Sequence, residues 1–180
     1  MNEFKSTWVD IDGFQFQASS LQGVRWINSK VYTDNRGYFF EGYREQIHRA
    51  LTGDYAVQTN ISVSKPMVLR GFHWHKDQTD IWSIASGMAQ VVVILDDEAE
   101  QRVLSAGQGI IIPPGVAHGF LALTDLVLIY SVTYEYNRDD PDEQGYSARQ
   151  FHGWMTDIGQ TIRSDRDLAY DSDSVLGFSP

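Results

Sequence analysis

The side chains best able to do chemistry sit in the run Leu69-Arg70-Gly71-Phe72-His73-Trp74-His75-Lys76 and in the later run Pro113-Pro114-Gly115-Val116-Ala117-His118-Gly119-Phe120. Side chains alternate faces along a strand, so His73 and His75 point the same way. An imidazole is the usual general base near neutral pH, and a neutral one is also the commonest metal ligand. Two uses of these residues are therefore open. In one, His73 moves a proton and a carboxylate holds its tautomer. In the other, His73, His75, Asp80 and His118 ligate Fe, Mn, Ni or Zn. A solitary histidine on an apolar strand is more often a core residue bonded to a carbonyl. The company of Arg70, His75 and His118 weighs against that here.

Other residue types fit the same picture. Arg36 follows a turn and precedes aromatics, and Arg70 precedes the first histidine. Guanidinium groups grip phosphate oxygens with two parallel hydrogen bonds. Gln58 and Asn60 lie two apart, on one face of a strand. Tyr130 ends the apolar run 126–129; in a pocket its hydroxyl can donate a proton, and in a core it is a packed aromatic.

The elements that must position these groups are mostly strands. Residues 5–32 read as two or three strands broken at Gly13 and Gly23. Residues 34–37 form a turn, and the aromatic stretch 38–43 is placed to close a pocket. Residues 44–51 carry Ile47, Ala50 and Leu51 at helical spacing, with Gly53 as a stop. From Tyr55 onward the period becomes two: Val57, Thr59, Ile61 and Val63 alternate with Gln58, Asn60, Ser62 and Ser64. Further strands are expected over 68–74, 80–85, 88–95, 109–113, 119–123 and 126–134. The segment 139–143 reads as a solvated acidic loop, and 160–169 as a short C-terminal element. Many short strands with turn chemistry between them predict an all-β sandwich or barrel with a few short helices, in a single domain over 1–180.

The formal net charge of −10 lacks the basic face that broad nucleic-acid binding needs, so no nucleic-acid partner is expected. The chain has no cysteine, which removes disulfides, thiolate zinc sites and a cysteine nucleophile, and fits a cytoplasmic protein. Neither a signal peptide nor an apolar run of the ~18 residues that span a membrane is visible, so no membrane partner is expected.

Six short pieces, in order, carry a resemblance: Arg36-Gly37-Tyr38-Phe39-Phe40-Glu41; Gln58-Thr59-Asn60; Leu69-Arg70-Gly71-Phe72-His73; Pro114-Gly115-Val116-Ala117-His118-Gly119-Phe120; Tyr130 with Tyr134-Glu135-Tyr136-Asn137; and Ser164-Asp165-Arg166-Asp167. Across residues 25–170 the chain resembles the dTDP-4-dehydrorhamnose 3,5-epimerases, nucleotide-sugar enzymes within the cupin superfamily. The resemblance implies a cupin-type jelly-roll β-barrel and epimerisation at C3 and/or C5 of a nucleotide-linked 4-keto-6-deoxy sugar. It implies His73 as general base, Asp167 as the carboxylate orienting it, and Tyr130 as the acid on the opposite face. Arg36, Glu41, Gln58, Asn60, Arg70 and His118 are implied substrate contacts. The implied partner is a nucleotide-diphosphate sugar, with no cofactor and no metal, in a homodimer with N-terminal strands packed or exchanged between subunits.

One position departs from that pattern. Where the family carries a lysine that supports the developing enolate, this chain has Asp80. A carboxylate repels an enolate, and loss of one such electrophilic contact costs on the order of 10²–10³ in rate. Lys76 is one substitute. A metal held by His73, His75, Asp80 and His118 is another. The paired histidines also resemble those of sugar 3,4-ketoisomerases, and a non-catalytic sugar-nucleotide binder is a third reading.

Overall fold

The computed structural model describes residues 7–137 and 143–171. Fourteen strands and two α-helices follow one another: β1 (Val9–Ile11), β2 (Phe14–Ala18), β3 (Arg25–Ser29), β4 (Tyr32–Asp34), β5 (Gly37–Phe39), α1 (Glu45–Thr52), β6 (Gln58–Ser64), β7 (Leu69–His75), β8 (Asp80–Ser86), β9 (Met88–Leu95), β10 (Glu98–Ser105), β11 (Gln108–Ile112), β12 (Ala117–Ala122), β13 (Leu126–Val132), β14 (Glu143–Gly145) and α2 (Asp165–Ala169). Seven strands form one sheet in the order β1-β2-β3-β11-β8-β13-β6. Five form a second sheet in the order β10-β9-β12-β7-β14, and β4 pairs only with β5. Every strand pairing is antiparallel, and the two sheets close into the β-barrel of cupin type that the resemblance implied.

Burial drives the closure. The inner faces of both sheets meet in one core that includes Trp26, Trp82, Ile84, Val91, Val93, Ile110, Phe120, Leu126 and Leu128. Strand β9 is a nearly unbroken apolar run because it lies between β10 and β12. The expected helix at 44–51 is α1, and it ends at Gly53 in the left-handed conformation with φ 82°. Its inward face packs Ile47 and His48 against Phe14, Phe16 and Tyr43.

Two expectations needed correction. Strand β10 was not among the expected strands, because Glu98-Ala-Glu-Gln-Arg-Val is mostly polar and shows little apolar alternation. Its inward polar groups are satisfied across the barrel: Trp26 Nε1 donates to Glu100 at 2.7 Å, and Arg102 donates to Gln17 at 2.5 Å. The aromatic stretch after the turn does not close its own chain's pocket. Its first two residues, Tyr38 and Phe39, lie on β5 of the exposed hairpin β4–β5 and are turned outward. The acidic segment lies outside the described residues up to position 142. The C-terminal element is a 3₁₀ turn at Ile158–Gln160 followed by α2.

Candidate active site

A cavity of about 370 Å³ opens at one end of the barrel, within the range of small-molecule sites. His73, His75 and Arg70 reach it from β7, His118 from β12, Asp80 and Trp82 from β8, Tyr130 from β13 and Asn60 from β6. Ser164, Arg166 and Asp167 reach it from the start of α2.

Strict alternation would put Arg70 and His73, three apart, on opposite faces. A register shift resolves this: His118 pairs with His73, but Phe120 pairs with Arg70, so β7 carries one extra residue. The bulge turns both side chains into the cavity. It is made possible by Gly71, whose φ is 114° and whose added Cβ would lie 2.7 Å from the Gly119 Cα and the His118 carbonyl oxygen.

His73 Nε2 lies 3.0 Å from Asp167 Oδ1. Burial of Asp167 opposes its charge, but the hydrogen bond and charge of His73, the Ser164 hydroxyl and Arg166 outweigh burial and hold the carboxyl below its usual range. An ionised carboxylate only accepts, so Nε2 carries the hydrogen and Nδ1 keeps the basic lone pair. The Ser164 side chain accepts from the Asp167 amide at 3.1 Å, fixing the turn that delivers this carboxylate.

On the facing sheet, Tyr130 pairs across to Asn60 on one side and Trp82 on the other. Gln58 does not line the cavity. It stands behind Asn60, donating to its Oδ1 at 2.6 Å and accepting from the Tyr136 amide at 2.9 Å.

Deeper in, His118 is buried and its Nδ1 lies 2.9 Å from the Val116 carbonyl. Burial pushes its pKa down to about 4 against the pull of Asp80, so the ring is neutral at pH 7. His75 Nε2 is 3.9 Å from Asp80 Oδ2. Asp80 accepts from Gln78 Nε2 at 2.9 Å and from Trp82 Nε1 at 3.3 Å. One ligand atom from each of His75, Asp80 and His118 lies within 4.8 Å of the others. His73 belongs to the Asp167 pair rather than to this cluster, a correction to the four-residue metal set.

The family model for dTDP-4-dehydrorhamnose 3,5-epimerase matches residues 18–172. The chain belongs to the dTDP-4-dehydrorhamnose 3,5-epimerase family. A spore coat polysaccharide biosynthesis protein of Bacillus subtilis is 35% identical over 135 residues, covering 69% of this chain and 87% of that protein. The dTDP-4-dehydrorhamnose 3,5-epimerase of Methanothermobacter thermautotrophicus is 32% identical over 157 residues, covering 72% and 81%. Among solved structures, the epimerase of Sulfolobus tokodaii superposes with a TM-score of 0.75 at 30% identity, covering 87% of this chain and 93% of that one. The Legionella pneumophila enzyme, solved with dTDP-4-keto-L-rhamnose, gives 0.75 at 26% identity over 87% and 90%.

Besides Gln58, three residues implied as substrate contacts by this epimerase family or by the missing lysine lie outside the cavity. Arg36 is exposed on the β4–β5 hairpin and ion-pairs with Asp34. Glu41 ion-pairs with Arg44 and borders a separate groove. Lys76 is exposed in the turn after β7. Conversely, sequence reasoning gave no role to Arg166 and Gln78, which do line the cavity. Arg166 was within reach, since it neighbours Asp167 in the Ser164-Asp165-Arg166-Asp167 motif. Nothing local marked Gln78. Among the described residues no helix is long and apolar enough to cross a membrane.

Proposed function

We propose that this protein epimerises C3 and/or C5 of a nucleotide-linked 4-keto-6-deoxy sugar, as a cytoplasmic homodimer. The observation that carries the reading is the 3.0 Å contact between His73 Nε2 and Asp167 Oδ1 inside the cavity, with Tyr130 arriving from the other sheet. A C–H beside a ketone is acidic because the departing charge spreads onto the carbonyl oxygen. His73 Nδ1 takes that proton while Asp167 stabilises the imidazolium that forms. Tyr130 returns a proton to the opposite face of the planar enolate; the imidazolium then releases its proton to solvent and solvent re-protonates the phenolate, which restores both groups. One C–H bond breaks and another forms, so atoms balance without an oxidant. Arg70 and Arg166 offer cations to the diphosphate, and Asn60, braced by Gln58, offers a hydrogen-bonding amide.

The homodimer reading draws on β6 and the β4–β5 hairpin. Ile61 and Val63 are 67% and 69% exposed on the outer face of β6, and the Tyr38 hydroxyl donates to the Ala85 carbonyl of the same sheet at 2.7 Å. In that homodimer, Arg36 and Glu41, which lie outside their own chain's cavity, would serve the neighbour's.

The test is deuterium wash-in from D2O at C3 or C5 of a dTDP-4-keto-6-deoxy sugar, read by NMR. His73→Asn should lower it by about 10²–10⁴. Tyr130→Phe should keep exchange but lose inverted product. Undiminished exchange in His73→Asn, or wild-type protein that binds the sugar nucleotide without exchanging it, would remove this reading.

A further inference from the structure

We propose that Arg163 and Asp171 are positioning residues: their ion pair clamps α2 against β7, so that Asp167 meets His73. The proposal rests on the epimerase reading for its effect on turnover, though not for the geometry. Helix α2 has only five residues, Asp165–Ala169. A helix that short does not hold itself together, yet it must keep Asp167 Oδ1 3.0 Å from His73 Nε2. The bond from the Asp167 amide to Ser164 shapes the first turn but ties α2 only to its own cap.

The ties to the barrel lie at the two ends. Before the helix, the Ile162 amide donates to the Met67 carbonyl at 2.8 Å, and the Leu69 amide donates to the Ile162 carbonyl at 3.0 Å. After it, the Tyr170 ring lies against Gly145 of β14, where a Cβ would collide with it. Gly145 is the residue that pairs with His73 across the β14–β7 ladder.

Asp171 joins these ends. Its Oδ2 accepts from Arg163 Nη2 at 2.8 Å and from Arg149 Nε at 2.9 Å, and its Oδ1 accepts from the Ser147 hydroxyl at 2.6 Å. Burial opposes the Asp171 charge, but the hydrogen bonds of Arg163, Ser147 and Arg149 outweigh it and hold the pKa down to about 2. The Arg163 side chain is 3% exposed, and its Nε and Nη1 have no hydrogen-bond partner among the described residues. Withdrawing Asp171 would strand that cation, which is far costlier than never having buried it. The pair therefore closes the chain across α2, and Ser147 and Arg149 pin the closure to the segment leaving β14. A loosened α2 would shift both Asp167 and Arg166. The long Arg166 stem can follow such a shift, whereas the short Asp167 side chain cannot. Turnover should suffer more than binding.

The experiment is steady-state kinetics of the full-length protein on a dTDP-4-keto-6-deoxy sugar, with crystallography of the variants. Asp171→Asn should lower kcat about 10- to 100-fold with KM within about threefold of wild type. Added to Asp167→Asn it should cost nothing beyond about threefold, because both changes disable the same dyad. Should Asp171→Asn not fold, Arg163→Met with Asp171→Leu removes both charges without stranding one; it should melt near wild type and show the same fall in kcat. In either variant His73 Nε2 and Asp167 Oδ1 should stand more than about 3.5 Å apart. Losses that multiply when combined with Asp167→Asn, kcat within about threefold of wild type, or an intact contact between His73 and Asp167 overturn the clamp. Wild-type protein that exchanges no deuterium removes the epimerase reading instead, and the crystallographic separation alone then decides the clamp.

Discussion

His73 owes its chemistry to a partner that contributes one oxygen atom and a charge. With Asp167 ionised, the imidazole is pinned with hydrogen on Nε2, and the lone pair on Nδ1 is the basic one. Asp167→Asn keeps volume and a hydrogen bond, but the amide can donate to Nε2 and so favours the opposite tautomer. The expected outcome is a fall in kcat of about 10²–10⁴ with sugar-nucleotide affinity little changed, measured by steady-state kinetics and calorimetry. If kcat stays within a few-fold of wild type, the carboxylate is not positioning the base. His73 and His118 also show how environment divides one residue type into two uses. One is half-exposed at the mouth beside an acid; the other is buried, neutral and bonded to a carbonyl.

Strand β6 has its amphipathic pattern turned around. Its polar side chains Asn60 and Ser62 face the cavity, while Ile61 and Val63 face outward. At the edge of a sheet this leaves an apolar strip with no cover among the described residues, an arrangement that suits association. The hairpin β4–β5 adds exposed Tyr32, Tyr38 and Phe39. Replacing both Ile61 and Val63 with Asp should yield a folded monomer by sedimentation and circular dichroism. On the proposed homodimer, in which Arg36 and Glu41 serve the neighbour's cavity, the monomer should bind dTDP at least about tenfold more weakly. A double variant that stays dimeric would show that the contact lies elsewhere. The bulge in β7 is the complementary device: a single extra residue re-aims Arg70 without disturbing His73.

Acid should loosen the fold as one unit. His48 is fully buried among Phe14, Phe16 and Tyr43, and burial lowers its pKa from 6.5 despite its contact with the Arg44 carbonyl. His118, lowered to about 4, acts with the same sign. Below pH 6.5 the unfolded chain takes up protons that the folded chain excludes, so stability present at neutral pH is lost as pH falls toward the folded values. The thermal midpoint of chelator-treated protein should drop by roughly 5 °C or more from pH 7 to pH 5. His48→Leu should flatten that slope. A midpoint independent of pH over this interval would contradict the burial of both imidazoles.

Much of this was legible one residue at a time. Alternation from Val57 to Ser64, the apolar run of β9, the Gly53 stop and the two histidine motifs are local patterns, and local patterns follow from the pleat and from the helical turn. They announced a β-barrel and a family of proton-transfer enzymes. Strand β10 escaped because its inward positions hold Glu100 and Arg102, whose partners Trp26 and Gln17 lie on other strands. That Arg70 shares a face with His73 depended on a register shift against β12, and that Asp80 meets His75 and His118 depended on three strands converging. The contact between His73 and Asp167 spans 94 positions, and Arg36 and Glu41 lie outside the cavity, paired with Asp34 and Arg44. Alternation records only which way a side chain turns relative to its neighbours in sequence. Which groups come within bonding distance depends on how the sheets pair and close, and that is settled only when distant segments bury their apolar faces together.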